Sequence, residues 1–198
     1  MGKFEVLDYL LEKNNGFLKS SEAVAAGISR PYFREYVRSR GLERVAHGLY
    51  MSQDAWEDGM YVIQTRYPQA VFSHETALYL LNLAEREPLK YSITLKAGTN
   101  ASGLTSQGVK VYKIKECLFY EGITEARSPA GHALRVYNPE RTICDLIRSR
   151  MKVEVQDIQS AFREYAQRRD KNIPLLMRYA DALSVEKTVR QYLQVLLP

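Results

Sequence analysis

The stretch Ser20–Tyr50, SSEAVAAGISRPYFREYVRSRGLERVAHGLY, constrains the fold more than any other part of this 198-residue chain. It reads as a short helix, a glycine turn, a second helix carrying arginines, and a two-stranded hairpin. Ser20 or Ser21 can cap the first of these helices, and Glu22 falls in its first turn, where the dipole favours an acid. Ala23, Val24 and Ala26 are small and apolar, as a close helix pair requires. Gly27 allows the left-handed turn that ends it. Ser29 is the expected N-cap of the next helix, and Pro31 is tolerated in its first turn because no amide donor is missed there. Gly41 closes that helix. Leu42, Val45, Leu49 and Tyr50 are strand-like, with Ala46-His47-Gly48 as the turn. In this order the elements spell a winged helix-turn-helix, whose expected partner is duplex DNA.

Within the arginine-bearing helix, Arg30, Arg34 and Arg38 recur every four residues and therefore form one ridge. Phe33 and Val37 fall on the opposite side and are expected to pack inward. Such a ridge can present arginine to guanine edges in the major groove, with outlying arginines on phosphates. Residues 30–44 hold five arginines against Glu35 and Glu43, a local +3, whereas residues 1–52 as a whole carry only +2. The DNA expectation thus rests on where the charges sit, not on the charge of the whole module. A charge run alone is more often a solvated helix face; the cap, turn and hairpin around this one favour DNA. On the hairpin, Arg44 and His47 would reach backbone phosphate or the minor groove. His47 alone reads more readily as a plain turn residue than as a reader of sequence.

Ahead of this module, Phe4, Leu7, Leu10 and Leu11 predict a helix over 3–14, stopped by Asn14-Asn15-Gly16, with Phe17-Leu18 as a short extended link. Beyond it, the spacing predicts helices around Trp56–Thr65 and Ser73–Leu83, separated by Pro68. The period then changes to two in Tyr91–Lys96, Val109–Lys115 and His132–Tyr137, with Leu118–Ile123 a further candidate strand. Asn138-Pro139 returns the chain to helix. Val155, Ile158, Phe162 and Tyr165 form a helical stripe. Two more helices, near 173–183 and 185–196, are led by Asn172 and Ser184. The expected fold class is α+β: an N-terminal winged helix-turn-helix over 1–52, then an α+β domain over 53–198 with a small mixed or antiparallel sheet and a helical C-terminal tail.

The remaining composition excludes several classes. Cys117 and Cys144 lack a CxxC spacing, so reduced thiols are expected rather than a disulfide scaffold. Glu5, Asp8 and Glu12 break a signal-peptide pattern, and no apolar run approaches the roughly 18 residues of a membrane helix. A cytoplasmic location without membrane contact is the expectation. Gly2 would invite myristoylation, but Val6 stands where that pattern wants Ser or Thr. No enzyme site is expected. His47, His74 and His132 are scattered, with no HxxxH, HExxH or DxD. Glu140 suits a helix N-terminus, and Arg141 with Asp145 reads as an i, i+4 ion pair. GTNASG lacks a P-loop lysine, and no serine sits in GxSxG. No cofactor or metal is expected. A nuclease would need Glu75, Glu140 and Asp145 to converge on a metal. A ligand-responsive transcription factor would need an apolar cavity within 53–198.

The opening helix with GISRPYFREYVRSRGLERVAHGLYM resembles the N-terminal domain of AbiEi antitoxins. FSHETALYLLNL (72–83), YSITL (91–95) and YNPERTICDLI (137–147) look like the second domain of that family, in the same order. The resemblance implies an antitoxin of a type IV toxin–antitoxin system active in phage abortive infection. Its winged helix would bind inverted repeats in its own operator and repress the promoter. Its second domain would counter a nucleotidyltransferase-like toxin without a stable complex. The family's DNA contacts would map onto the third helix and wing, namely Ser29, Arg30, Tyr32, Arg34, Arg38, Arg44 and His47. Residues 53–198 carry a further +3, which leaves room for DNA contact there through residues such as Lys110, Lys113 or Arg148. Self-association on DNA is left open.

Overall fold

The computed structural model describes residues 2–196. Its contacts divide the chain into two units: residues 1–68 with 127–134, and residues 69–126 with 135–198.

The first unit begins with α1 (Lys3–Lys13), β1 (Phe17–Lys19), α2 (Ser20–Ala25) and α3 (Arg30–Ser39). It continues through β2 (Glu43–Ala46), β3 (Leu49–Met51) and α4 (Gly59–Arg66). β1, β3 and β2 form a three-stranded antiparallel sheet in that order, with Phe17 opposite Met51 and Arg44 opposite Tyr50. Leu7, Leu18, Ala23, Ile28, Phe33, Tyr36 and Leu42 make its core, and Phe4, Leu10, Leu11 and Val37 pack on the rim. This is the helix–strand arrangement of a winged helix-turn-helix. Phe17-Leu18, expected as a link, is its third strand, because both side chains are fully buried and their backbone pairs with β3. Lys19 rather than a serine occupies the N-cap position of α2.

The expected division at residue 52 needs correction, since α4 and residues 127–134 belong to the first unit. The reason is a buried polar cluster. Asp58 caps α4 by accepting from the Tyr61 N–H at 2.9 Å. Its other carboxylate oxygen accepts from Ser128 Oγ and lies 2.7 Å from His132 Nδ1. His132 Nε2 faces the Asn14 carbonyl at 3.1 Å, so both ring nitrogens meet acceptors. The imidazole stacks on Tyr61 at 4.0 Å and meets the edge of Phe17 at 4.9 Å. Burial pushes the Asp58 carboxyl up, but hydrogen bonds from His132, Ser128 and the Tyr61 N–H hold it below the ordinary carboxylate range. Trp56, expected inside a helix, precedes α4 and is 85% exposed.

The second unit comprises β4 (Val71–Phe72), α5 (His74–Leu80), β5 (Ser92–Lys96), α6 (Ser102–Thr105), β6 (Lys110–Ile114) and α7 (Glu116–Phe119). These are followed by β7 (Ile123–Arg127), β8 (Ala133–Tyr137), α8 (Pro139–Arg148), α9 (Val155–Gln167), α10 (Ile173–Ala182) and α11 (Glu186–Leu196). The sheet order is β6-β5-β4-β8-β7, and it is mixed: β4 is antiparallel to β5 and parallel to β8, and β5 is parallel to β6. The fold class is therefore α+β with a mixed sheet. Leu118–Ile123, a candidate strand, is instead the end of α7 and a turn; the strand begins at Ile123, after Gly122 at φ +81°. Ser184 does not cap α11. It takes φ +58° and ends α10, with Ser184 N–H on Asp181 O and Val185 N–H on Ala180 O.

α8 is the unit's central helix: every side chain from Glu140 to Ile147 is buried. Asn138 caps it by accepting from the Arg141 N–H. The Arg141 guanidinium pairs with Asp145 at 3.1 Å and donates to the carbonyls of Leu118 and Glu121. Glu140 accepts from the Tyr165 hydroxyl and the Asn172 N–H, both at 3.0 Å. These are structural engagements, as the helix-terminus and i, i+4 readings expect.

Candidate nucleic-acid interface

α3 owes its orientation to two side chains. Phe33 meets Tyr50 of β3 edge-on at 5.3 Å, and Tyr36 is fully buried against Phe4 at 5.2 Å. The Tyr36 hydroxyl donates to Asp8 Oδ1 at 2.7 Å, and Arg40 Nη2 donates to the same carboxylate's Oδ2 at 2.7 Å. Burial first, then the Asp8 carboxylate, pushes the Tyr36 hydroxyl well above its ordinary pKa. Asp8 thus clamps the C-terminal half of α3 to α1. Helical spacing points Val37 inward but assigns no packing role to Asp8. The only prior sign was an acid beside Leu7, on the apolar side of α1.

The clamp turns the opposite face outward. Arg30, Arg34 and Arg38 are exposed, and their side chains have no hydrogen-bond or ion-pair partner among the described residues. Arg40, counted in the local +3, is spent on Asp8 and does not join them. Ser29 holds the N-cap position with φ −69° and ψ 150°, yet its hydroxyl makes no capping bond and is exposed, as a phosphate contact would need. Tyr32 does not share the ridge. Two residues on from Arg30 is about 200° around a helix, and its ring packs on Phe4 at 5.1 Å with Lys3 Nζ 5.2 Å from the centroid.

The wing gathers Arg44 and His47. Arg44 Nε donates to the Ala46 carbonyl at 3.3 Å, and its Nη2 lies 3.1 Å from His47 Nδ1. A register shift between Arg44 and Ala46 makes this return possible. Gly48 takes φ +70°, and a Cβ there would lie 2.7 Å from Ser20 Oγ, so the turn requires glycine. The Ser20 N–H donates to the Gly48 carbonyl at 2.8 Å, tying the wing to the start of α2. Exposed cations on one helix face, an exposed hydroxyl at its N-terminus and an arginine on the hairpin tip are suited to the phosphates and base edges of a duplex.

Residues 5–53 match the family model described as "Transcriptional regulator, AbiEi antitoxin". Over these residues the chain is similar to AbiEi antitoxin regulators. The match begins within α1, takes in the ridge and the wing, and stops before α4. No curated protein matches the chain. Among solved structures, the crystal structure of the RV2827C protein from Mycobacterium tuberculosis is similar at 13% identity and a TM-score of 0.49. The alignment covers 98% of this chain and 82% of that one.

The other candidate residues do not converge. Glu75 accepts from Ser92 Oγ at 2.6 Å and from Lys110 Nζ at 2.8 Å. Glu140 and Asp145 are engaged on α8 as described. Among the described residues, no group of three His, Cys, Asp or Glu side chains is placed to hold a metal ion. Lys110 is therefore paired, unlike Arg148. No helix of the described residues is long and apolar enough to cross a membrane.

Proposed function

We propose that this chain is an antitoxin and the transcriptional autorepressor of a type IV toxin–antitoxin operon. The winged helix would bind inverted repeats in the operator, with one copy of the chain on each half-site. Ser29, Arg30, Arg34 and Arg38 would enter or flank the major groove, with Arg44 and His47 on the backbone beside it. The second unit would counter a nucleotidyltransferase-like toxin without a stable complex. The observation that carries this reading is the unpaired arginine ridge on α3, within a segment matching the AbiEi antitoxin family.

The role is proposed to be non-catalytic. Each carboxylate that a nuclease would need is already held by a neighbour: Glu75 by Lys110, Glu140 by Tyr165, and Asp145 by Arg141. The test pairs two assays in one strain. A reporter driven by the chain's own promoter measures repression, and growth during co-expression of the adjacent toxin gene measures protection. Arg34→Ala with Arg38→Ala should release the reporter and preserve protection. Retained repression by the double variant would refute the DNA-contact assignment. Metal-dependent nucleotide or nucleic-acid turnover lost on Glu140→Gln or Asp145→Asn would refute the non-catalytic role.

A further inference from the structure

The second unit contains a cavity of about 590 Å³ that the DNA-binding reading does not use. That size lies within the ordinary range for small-ligand pockets. Its walls include His74, Thr94, Tyr112, Arg148, Ser149 and Lys152. The Arg148 and Lys152 side chains are exposed and have no hydrogen-bond or ion-pair partner among the described residues. Asp145 also reaches the wall, but its charge is met by Arg141 at 3.1 Å. The lining therefore carries an unbalanced positive charge.

Behind the cations stands an ordered polar relay. Thr94 Oγ1 donates to Ser73 Oγ at 2.9 Å. Ser73 Oγ lies 2.9 Å from His74 Nδ1, and His74 Nε2 lies 3.0 Å from Ser149 Oγ. In the tautomer that accepts the Ser73 proton at Nδ1, the imidazole carries its hydrogen on Nε2 and donates to Ser149. The Ser149 proton is then free to donate to a ligand. The His74 ring is fixed against Tyr112, with centroids 3.5 Å apart and planes 11° apart. His74 is buried and holds φ +51°, a conformation uncommon for a side chain of this size. Strained backbone of this kind gathers at ligand sites.

We propose that this cavity binds a small phosphate-bearing anion of nucleotide size. Arg148 and Lys152 neutralise its charge, and the Ser149 hydroxyl donates to a phosphate oxygen. Volume favours a discrete ligand over a passing strand, because the hydroxyl and both cations line one cavity rather than a ridge. The proposal does not depend on the operator-binding role of α3.

The test is calorimetric titration of the full chain with ATP and, separately, with inorganic pyrophosphate, in metal-free buffer. The expected result is saturable one-to-one binding of ATP, displaced by pyrophosphate. Arg148→Gln and Lys152→Gln should each weaken it at least tenfold, and Ser149→Ala should weaken it severalfold. Arg34→Ala should leave it unchanged. Circular dichroism of each variant separates loss of binding from loss of fold, and Lys152→Gln, at an exposed position, keeps the test open if Arg148→Gln unfolds. Absence of saturable binding at millimolar ATP overturns the proposal, as does affinity indifferent to Arg148 and Lys152. A third overturning result is a DNA duplex whose affinity falls with Arg148→Gln while ATP shows none, since the cations would then hold backbone phosphate.

Discussion

Replacing Asp58 by alanine isolates the cluster that holds α4 and residues 127–134 in the first unit. The carboxylate is 5% exposed as a residue and serves three donors: the Tyr61 N–H, Ser128 Oγ and His132 Nδ1. Loss of the cap costs about 1 kcal/mol. Leaving the buried Ser128 and His132 groups unpaired costs about 1–3 kcal/mol each. The expected destabilisation is about 3–5 kcal/mol, allowing for some relaxation. Urea unfolding by circular dichroism reads it as a lower midpoint at an unchanged slope for the first unit's transition. The carboxyl pKa is depressed in the fold, so its contribution is present above the unfolded value near 4 and is lost as pH falls through the folded one. The gap between wild type and Asp58→Ala should therefore shrink as pH falls below about 4. A loss under about 1 kcal/mol, or a gap that does not narrow in acid, would refute the cluster as the fastening.

Three further outcomes follow from the geometry. Gly48→Ala should destabilise the wing by about 1–3 kcal/mol, because φ is +70° and the new Cβ meets Ser20 Oγ; operator affinity measured by gel shift should drop with it, and an unchanged thermal midpoint would contradict this. Burial pushes the His74 imidazole down to about 3. The unfolded histidine takes up a proton near pH 6.5 and the folded one does not, so second-unit stability should decline as pH falls from there toward 3, and a His74→Gln variant should lack that component. Operator affinity should fall with salt on a log–log slope steeper than about −4 for two bound copies, given roughly −0.9 per phosphate contact; a nearly flat slope would place binding elsewhere.

The first unit was legible because its signals are local. Gly27, Gly41 and Gly48 sit where the chain must turn left-handed, and the four-residue spacing of Arg30, Arg34 and Arg38 defines one helix face on any backbone. What escaped depends on partners distant in sequence. Asp8 gains its role only from Tyr36 and Arg40, and Asp58 only from Ser128 and His132, some seventy residues on. Nothing near Asp58 separates it from Asp54 or Glu57, so the division fell at residue 52, where the winged pattern ends. Tyr32 is a DNA-contact candidate only through the family resemblance, and helical rotation turns its ring toward Phe4. In the second unit, β4 is two residues long and carries no period to detect. The cavity beside His74 assembles from α5, β5, β6 and the end of α8, with no motif linking them.

The central claim is that the α3 ridge grips DNA. Fluorescence anisotropy on a labelled duplex from the chain's own promoter tests it most directly, comparing wild type with Arg34→Ala plus Arg38→Ala. The account predicts a folded double variant whose operator binding is weakened by about 1–3 kcal/mol for each arginine that reads a base. An arginine that holds phosphate instead should weaken operator and unrelated duplex alike. Wild-type operator affinity in a double variant with an unchanged circular dichroism spectrum would contradict the claim.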